Sequence, residues 1–181
     1  MSKNPLMPLE TERLLIRDFT EDDFDAVYAY GSDPEVVRYM VFPPSTPEST
    51  REHIAHCIRQ AGEQPRCSYD LGVVLKATNQ VIGGISLGVV DHTRGEGAFS
   101  YLFQRSGWGQ GYATEALRAL VCFGFEELAL TRLADSCDVR NSASARVMEK
   151  CGFHCEREQN GERFYALTAE EWQEIVQHES L

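Results

Sequence analysis

The residues with the clearest chemical potential run from 103 to 114, Phe-Gln-Arg-Ser-Gly-Trp-Gly-Gln-Gly-Tyr-Ala-Thr. A strand-like run ends there, and Gly107, Gly109 and Gly111 alternate over five residues. The strongest helical pattern in the chain then begins. Glycines let a backbone turn tightly and come close to a ligand. A helix start offers N–H groups without intrahelical acceptors and about half a positive charge. Together they suit an anion, most naturally a phosphate; the plainer alternative is an ordinary strand-to-helix turn. A P-loop does not fit, because Gln110-Gly111-Tyr112 stands where Gly-Lys-Ser/Thr is needed. A GxGxxG dinucleotide loop does not fit either, since its last glycine would fall on Tyr112 or Thr114.

The elements that must position this loop follow from residue periodicity. Strand patterns cover 13–19, 68–76, 80–90, 97–103, 132–139, 153–158 and 162–167. Helix patterns cover 21–30 behind Thr20, 34–39, 47–62 behind Thr46, 112–128, 142–152 behind Asn141 and 169–176. In the 112–128 helix, Ala113, Ala116, Leu117, Leu120, Val121, Gly124 and Leu128 form one apolar stripe. Antiparallel strands followed by a βαβ crossover predict an α/β (α+β mixed) fold. Its centre is a mixed, mostly antiparallel seven-stranded sheet with helices on both faces. Residues 1–181 read as one domain, in keeping with the length.

Composition removes several function classes. A net charge of −11 argues against a nucleic-acid binder. Residues 102–151 carry six acids and six bases, so an anionic ligand is tolerated there better than elsewhere. No apolar run reaches the roughly 18 residues of a membrane span, and the first ten residues lack a signal core, so a cytoplasmic protein is expected. The cysteines at 57, 67, 122, 137, 151 and 155 form no CxxC pair, which fits reduced thiols. Two small clusters, His53/His56/Cys57 and Cys151/His154/Cys155, lack the paired spacing of a structural zinc site, so no metal is expected.

Trp108-Gly109-Gln110-Gly111-Tyr112-Ala113 resembles the acetyl-CoA pyrophosphate loop of the GNAT acyltransferases, Q/R-x-x-G-x-G/A. Residues 141–153, Asn-Ser-Ala-Ser-Ala-Arg-Val-Met-Glu-Lys-Cys-Gly-Phe, resemble that superfamily's second helix signature. The opening 9–17 and the closing 165–172 look like the Rim-type branch, the ribosomal-protein N-terminal acetyltransferases and their relatives. The chain departs from the pattern at three positions. Trp108 replaces Gln or Arg. Met148 replaces a tyrosine that protonates the departing thiolate in many relatives. Ala98 replaces a glutamate of the fourth strand.

The resemblance implies an N-acetyltransferase that moves an acetyl group directly from acetyl-CoA to a primary amine, without metal. The acceptor is a protein N-terminus or a small molecule, and the enzyme is a monomer or homodimer. The fourth and fifth strands, 97–103 and 132–139, would splay around the pantetheine, with the backbone of Tyr101, Leu102 and Phe103 pairing to it. Trp108, Gly109, Gln110, Gly111, Tyr112, Ala113 and Thr114 would hold the pyrophosphate. Asn141 would reach the pantetheine arm, and Arg146, Arg105 and Lys150 are candidates for the ribose phosphate. Ser144 is implied as the thiolate's proton source. For the amine's proton, Glu96, Asp135, His92 and a water relay all stay open. A non-catalytic acyl-CoA-binding or sensor domain is the alternative.

Overall fold

Alternating apolar residues in the middle of the chain make three long strands that hydrogen-bond in sequence. The structure, a computed structural model, describes residues 7–179. Residues 1–6, 180 and 181, part of the expected domain and of the N-terminal stretch read for a signal, lie outside the described residues. The strands are β1 (Leu9–Glu10), β2 (Leu14–Asp18), β3 (Ser68–Leu75), β4 (Gln80–Asp91), β5 (Glu96–Phe103), β6 (Arg132–Asp138), β7 (His154–Gln159) and β8 (Glu162–Thr168). The helices are α1 (Phe24–Gly31), α2 (Pro47–Ala61), α3 (Tyr112–Glu126), α4 (Ser142–Lys150) and α5 (Ala169–Glu179). One mixed sheet runs β1-β2-β3-β4-β5-β6-β8-β7, antiparallel throughout except for β5–β6. All seven expected strands are present. The eighth, β1, is two residues on the edge, too short to show an alternation in sequence.

Each sheet face packs its own helices. Ala116, Leu117, Leu120, Val121 and Gly124 of α3 are buried against Leu71, Ile85, Leu87, Phe99 and Leu133 of the strands. Full burial of a leucine contributes roughly 1.5–3 kcal/mol, so Leu117 and Leu120 anchor this helix. α4 joins the same core through Ala145 and Met148. On the opposite face α1 and α2 close a smaller core of Phe19, Val27, Tyr30, Ile54, Cys57, Val74 and Val81. Thr46 accepts the Ser49 N–H at the start of α2, with Pro47 at the first helical position, as the sequence suggests. The stretch 34–39 is a set of turns and not the expected helix. Asp33 accepts the Glu35 N–H through its carboxylate, and Val36 and Val37 both return to the Asp33 carbonyl. These are the bonds of a helix start, but the next one, from the Met40 N–H to the Val37 carbonyl, is a tight three-residue turn, so the helix does not propagate.

Candidate active site

The two central strands part beside the glycine loop. β5 and β6 pair only at 96–98 against 132–134. Beyond Ala98 and Ala134 a cleft of about 460 Å³ opens, lined by both strands, the glycine loop and α4. The ladder on the other side of β5 fixes what faces this cleft. The Gln104 N–H bonds the Ile82 carbonyl at 2.9 Å on the β4 side. Backbone direction alternates along an antiparallel strand. Leu102 therefore also faces β4, while the N–H and C=O of Tyr101 and Phe103 point into the gap. Trp108 folds over the strand end, its indole N–H donating to the Phe103 carbonyl at 2.8 Å. The two N–H groups and the Tyr101 carbonyl form an edge to which an extended ligand can add as a strand.

The loop below is held in one conformation. Gly109 and Gly111 have φ of 73° and 82°, a left-handed region that costs an L-residue roughly 1–2 kcal/mol. Glu115 makes the first helical bond, to the Gly111 carbonyl at 3.0 Å. The N–H groups of Tyr112, Ala113 and Thr114 precede that bond and stay available at the helix start. Arg13 braces the loop from behind. Its guanidinium donates to the Gln110 carbonyl at 2.9 Å and to Glu115 at 2.7 Å, and lies 4.7 Å from the Tyr112 ring centre. Burial works against ionisation of Glu115, but bonds from Thr11 and Arg13 prevail and hold its carboxyl below the ordinary range. A trans peptide sets its C=O and N–H in opposite directions. Anchoring the Gln110 carbonyl to Arg13 thus turns the Gly111 N–H away from Arg13, toward the cleft that Gly111 lines.

Above the loop, α4 begins at Asn141, whose side chain accepts the Ser144 N–H at 3.1 Å. The Ser144 hydroxyl lies 2.9 Å from the Tyr101 phenol oxygen, which also donates to the Ser144 carbonyl at 3.2 Å. Burial pushes the Tyr101 phenol above its usual value, partly opposed by the Ser144 bond, so the hydroxyl stays protonated through the neutral range. Asp135 is the first β6 residue past the paired segment. Burial pushes its carboxyl up from 3.8 to about 7, with the Ser136 N–H pulling down and the Glu162 charge pushing up. The cleft thus gathers a phosphate-sized cradle, an open strand edge, a hydroxyl pair and a carboxyl that titrates near neutrality.

Known proteins share this fold. The Acetyltransferase (GNAT) domain family matches residues 13–154. The chain belongs to the GNAT acetyltransferases. It is 32% identical over 178 residues to the uncharacterized N-acetyltransferase YnaD of Bacillus subtilis (strain 168), covering 92% of this chain and 99% of YnaD. It is 30% identical over 148 residues to the uncharacterized N-acetyltransferase p20 of Bacillus licheniformis, covering 82% and 83%. A solved GNAT acetyltransferase from Bacillus anthracis superposes with a TM-score of 0.79 at 29% identity, covering 91% of this chain and 99% of that one. RimL, a ribosomal L7/L12 α-N-protein acetyltransferase, has the same fold (TM-score 0.74, 21% identity, covering 90% and 93%). The Rim-type likeness therefore holds at the level of the fold. As a GNAT member, the protein is an acetyl-CoA-dependent N-acetyltransferase.

Most of the residues singled out in the sequence converge on the cleft. Tyr101, Leu102, Phe103, Trp108, Gly109, Gly111, Tyr112, Ala113, Thr114, Asp135, Asn141, Ser144 and Arg146 line it. Gln110 contributes its carbonyl to the Arg13 brace. Glu96 does not join them; it sits in the paired segment opposite Arg132, five residues and roughly 16 Å along β5 from Tyr101. Arg105 is tied to Asp33 at 2.7 Å, whereas Arg146 and Lys150 face the cleft from successive turns of α4. His92 lies beside Cys67 at 3.4 Å. His53 touches Cys57 at 3.6 Å, but no three metal-ligating side chains gather among the described residues. Two participants have roles that the motifs do not give, the Arg13 brace, which lies within the opening 9–17, and the Tyr101 phenol. No helix among the described residues is long and apolar enough to cross a membrane.

Proposed function

We propose that this cleft holds acetyl-CoA and that Asp135, Tyr101 and Ser144 carry the transfer to a primary amine. The observation that carries the reading is the parting of β5 from β6 directly beside the glycine loop. The cradle suits a pyrophosphate. An added Cβ at Gly109 would meet no atom within 4 Å, and three N–H groups precede the first α3 hydrogen bond. Arg146 and Lys150 supply the local positive charge that the acidic chain lacks overall.

Each residue then has one task. Asp135, ionised above about pH 7, accepts a proton from the acceptor ammonium and releases the nucleophilic amine. A backbone N–H on the open β5 edge donates to the thioester oxygen as negative charge builds there. The Ser144 hydroxyl donates to the sulfur as the carbon–sulfur bond breaks, with the Tyr101 phenol behind it in the same hydrogen-bonded pair. Six free cysteines are consistent with a reducing, cytoplasmic setting.

The test pairs calorimetry of CoA binding with an acceptor screen by mass spectrometry over protein N-termini, amino acids, aliphatic amines and aminoglycosides. Binding together with acetylation of an amine is the expected outcome. Binding without turnover of any amine would make the protein an acyl-CoA-binding domain. No binding would remove the assignment of the cleft.

A further inference from the structure

A second cavity of about 480 Å³ lies on the α1/α2 side of the sheet. It meets the first along Ser100, Tyr101 and Leu102, which line both. Its floor follows from strand register. Asp70 of β3 stands opposite Ser86 of β4, and Ser86 opposite Ser100 of β5, with the two serine hydroxyls 2.8 Å apart. These three side chains form one polar row that runs from the open strand edge back under α2. The next row is Gly72, Gly84 and Leu102. The rings of Phe19 and Tyr30 come down to within about 3 Å of where Cβ atoms would stand at those two glycines. Phe42 and Pro43 add to an apolar wall.

Asp70 is the one acidic side chain in this lining, which holds no lysine or arginine. Burial holds the facing His53 imidazole of α2 below its usual value, and hence neutral, even though Asp70 pulls it up. Asp70 accepts a hydrogen bond from Ser68 at 2.9 Å and forms no ion pair among the described residues. Arg66, two residues before β3, is committed to Asp18 at 2.6 Å and to the Ser68 carbonyl. A carboxylate in a largely apolar cavity without a cation of its own is matched by a ligand that brings one. It is not placed to serve the reacting nitrogen, because Tyr101 and Ser144 sit at the β5 edge, two strands away.

We infer that the acceptor is a diamine. One nitrogen lies at the Ser100 edge and is acetylated; the second, as an ammonium, is held by Asp70 about 10 Å away, two inter-strand spacings. The inference rests on the reading of the first cleft as the acetyl-CoA site. The alkyl chain between the nitrogens lies along the Ser86 row, against the Phe19 and Tyr30 side chains that cover the neighbouring glycines. The overall charge of −11 favours the approach of such a dication.

The experiment compares α,ω-diaminoalkanes of graded length with 1-aminoalkanes of equal length, following thiol release from acetyl-CoA. The wild type is expected to prefer the best diamine over its matched monoamine by about tenfold or more in kcat/KM, with the optimum where the nitrogens are about 10 Å apart. Asp70→Asn, nearly isosteric, should lose that factor mainly in KM and leave monoamine turnover within about twofold, with CoA affinity unchanged. Asp70→Glu should keep the preference and shift it to a shorter diamine. Equal use of monoamines and diamines by the wild type, or an equal loss on both in Asp70→Asn, would overturn the inference. Acetylation of other amines without diamine turnover would overturn it too and leave the acetyltransferase reading standing. Absence of CoA binding would remove both.

Discussion

Replacing Asp135 by asparagine separates two roles of one carboxyl, as a burial cost and as a base. The group titrates near 7 where an ordinary aspartate titrates at 3.8. Between those values the folded chain binds a proton that the unfolded chain has released. Stability contributed by this group therefore falls as pH rises from about 4 to about 7, and is level above that. The ceiling on the loss is about 4 kcal/mol, at 1.36 kcal/mol for each tenfold change in proton affinity. Asp135 lines an open cleft, so water absorbs part of the cost, and about 2 kcal/mol is the expected size. Asparagine cannot ionise. The variant should match the wild type near pH 4 and exceed it by about 2 kcal/mol at pH 8, or about 4–8 °C in Tm for a protein of this length.

Melting both proteins at half-unit steps from pH 4 to pH 8 isolates the effect, because every other titrating group is shared and cancels in the difference. A Tm difference that does not change with pH would refute the burial argument. Kinetics settles the second role. If Asp135 takes the amine's proton, wild-type kcat/KM rises with pH through an apparent value near 7, and Asp135→Asn loses that limb along with roughly 10²- to 10⁴-fold in rate. A pH-dependent Tm difference together with full activity would leave Asp135 as a buried acid and return the proton to a water relay.

Two further outcomes follow from the cleft. Ser144→Ala should lower kcat by roughly 10- to 10⁴-fold with CoA affinity little changed, and Tyr101→Phe should act in the same direction through the lost hydroxyl pair; wild-type kcat in both variants would reduce Ser144 to a helix-start residue. Gly111→Ala, measured by thermal melting and CoA calorimetry, should cost roughly 1–2 kcal/mol. Its nearest new contact, Arg13 at 3.4 Å, is ordinary, so the cost is one of backbone conformation. Gly111→Asn, which tolerates the left-handed region better, should recover part of it; equal stability for both variants would refute that account.

What was legible in the sequence is what local residue types dictate. The α3 stripe is written in residues three and four apart, and the start of α4 in an asparagine three residues before the serine it caps. The glycine loop is legible for the same reason, since Gly109 and Gly111 adopt backbone that other residues avoid. At 34–39 the sequence shows the start signal at Asp33 but not the stop: six residues are too few for a helix to propagate, and the chain closes into a turn at Val37–Met40. Glu96 shares β5 with the site residues Tyr101 and Phe103, and strand periodicity says only which face a residue shares. Periodicity does not say how far along the strand it lies from the point where two strands part.

The rest of the site depends on tertiary register, which short spacing does not encode. Arg13 reaches Gln110 across 97 residues and Tyr101 reaches Ser144 across 43. Position 148 shows the consequence. Read against the family pattern, Met148 marks a lost phenol and leaves Ser144 as the implied proton source. In the fold Met148 is fully buried in the core. A phenol still stands beside the start of α4, delivered from β5 by Tyr101 onto Ser144, one helical turn before Met148. The backbone of Tyr101 was legible as part of the open strand edge; its side chain reads in sequence as one more core aromatic, stacked near Phe99. On the proposed reading the two halves of this residue do different work: its main chain faces the thioester and its hydroxyl stands behind the serine. Comparing Tyr101→Phe with Ser144→Ala therefore tests whether a hydroxyl supplied by a strand can do what relatives obtain from a helix.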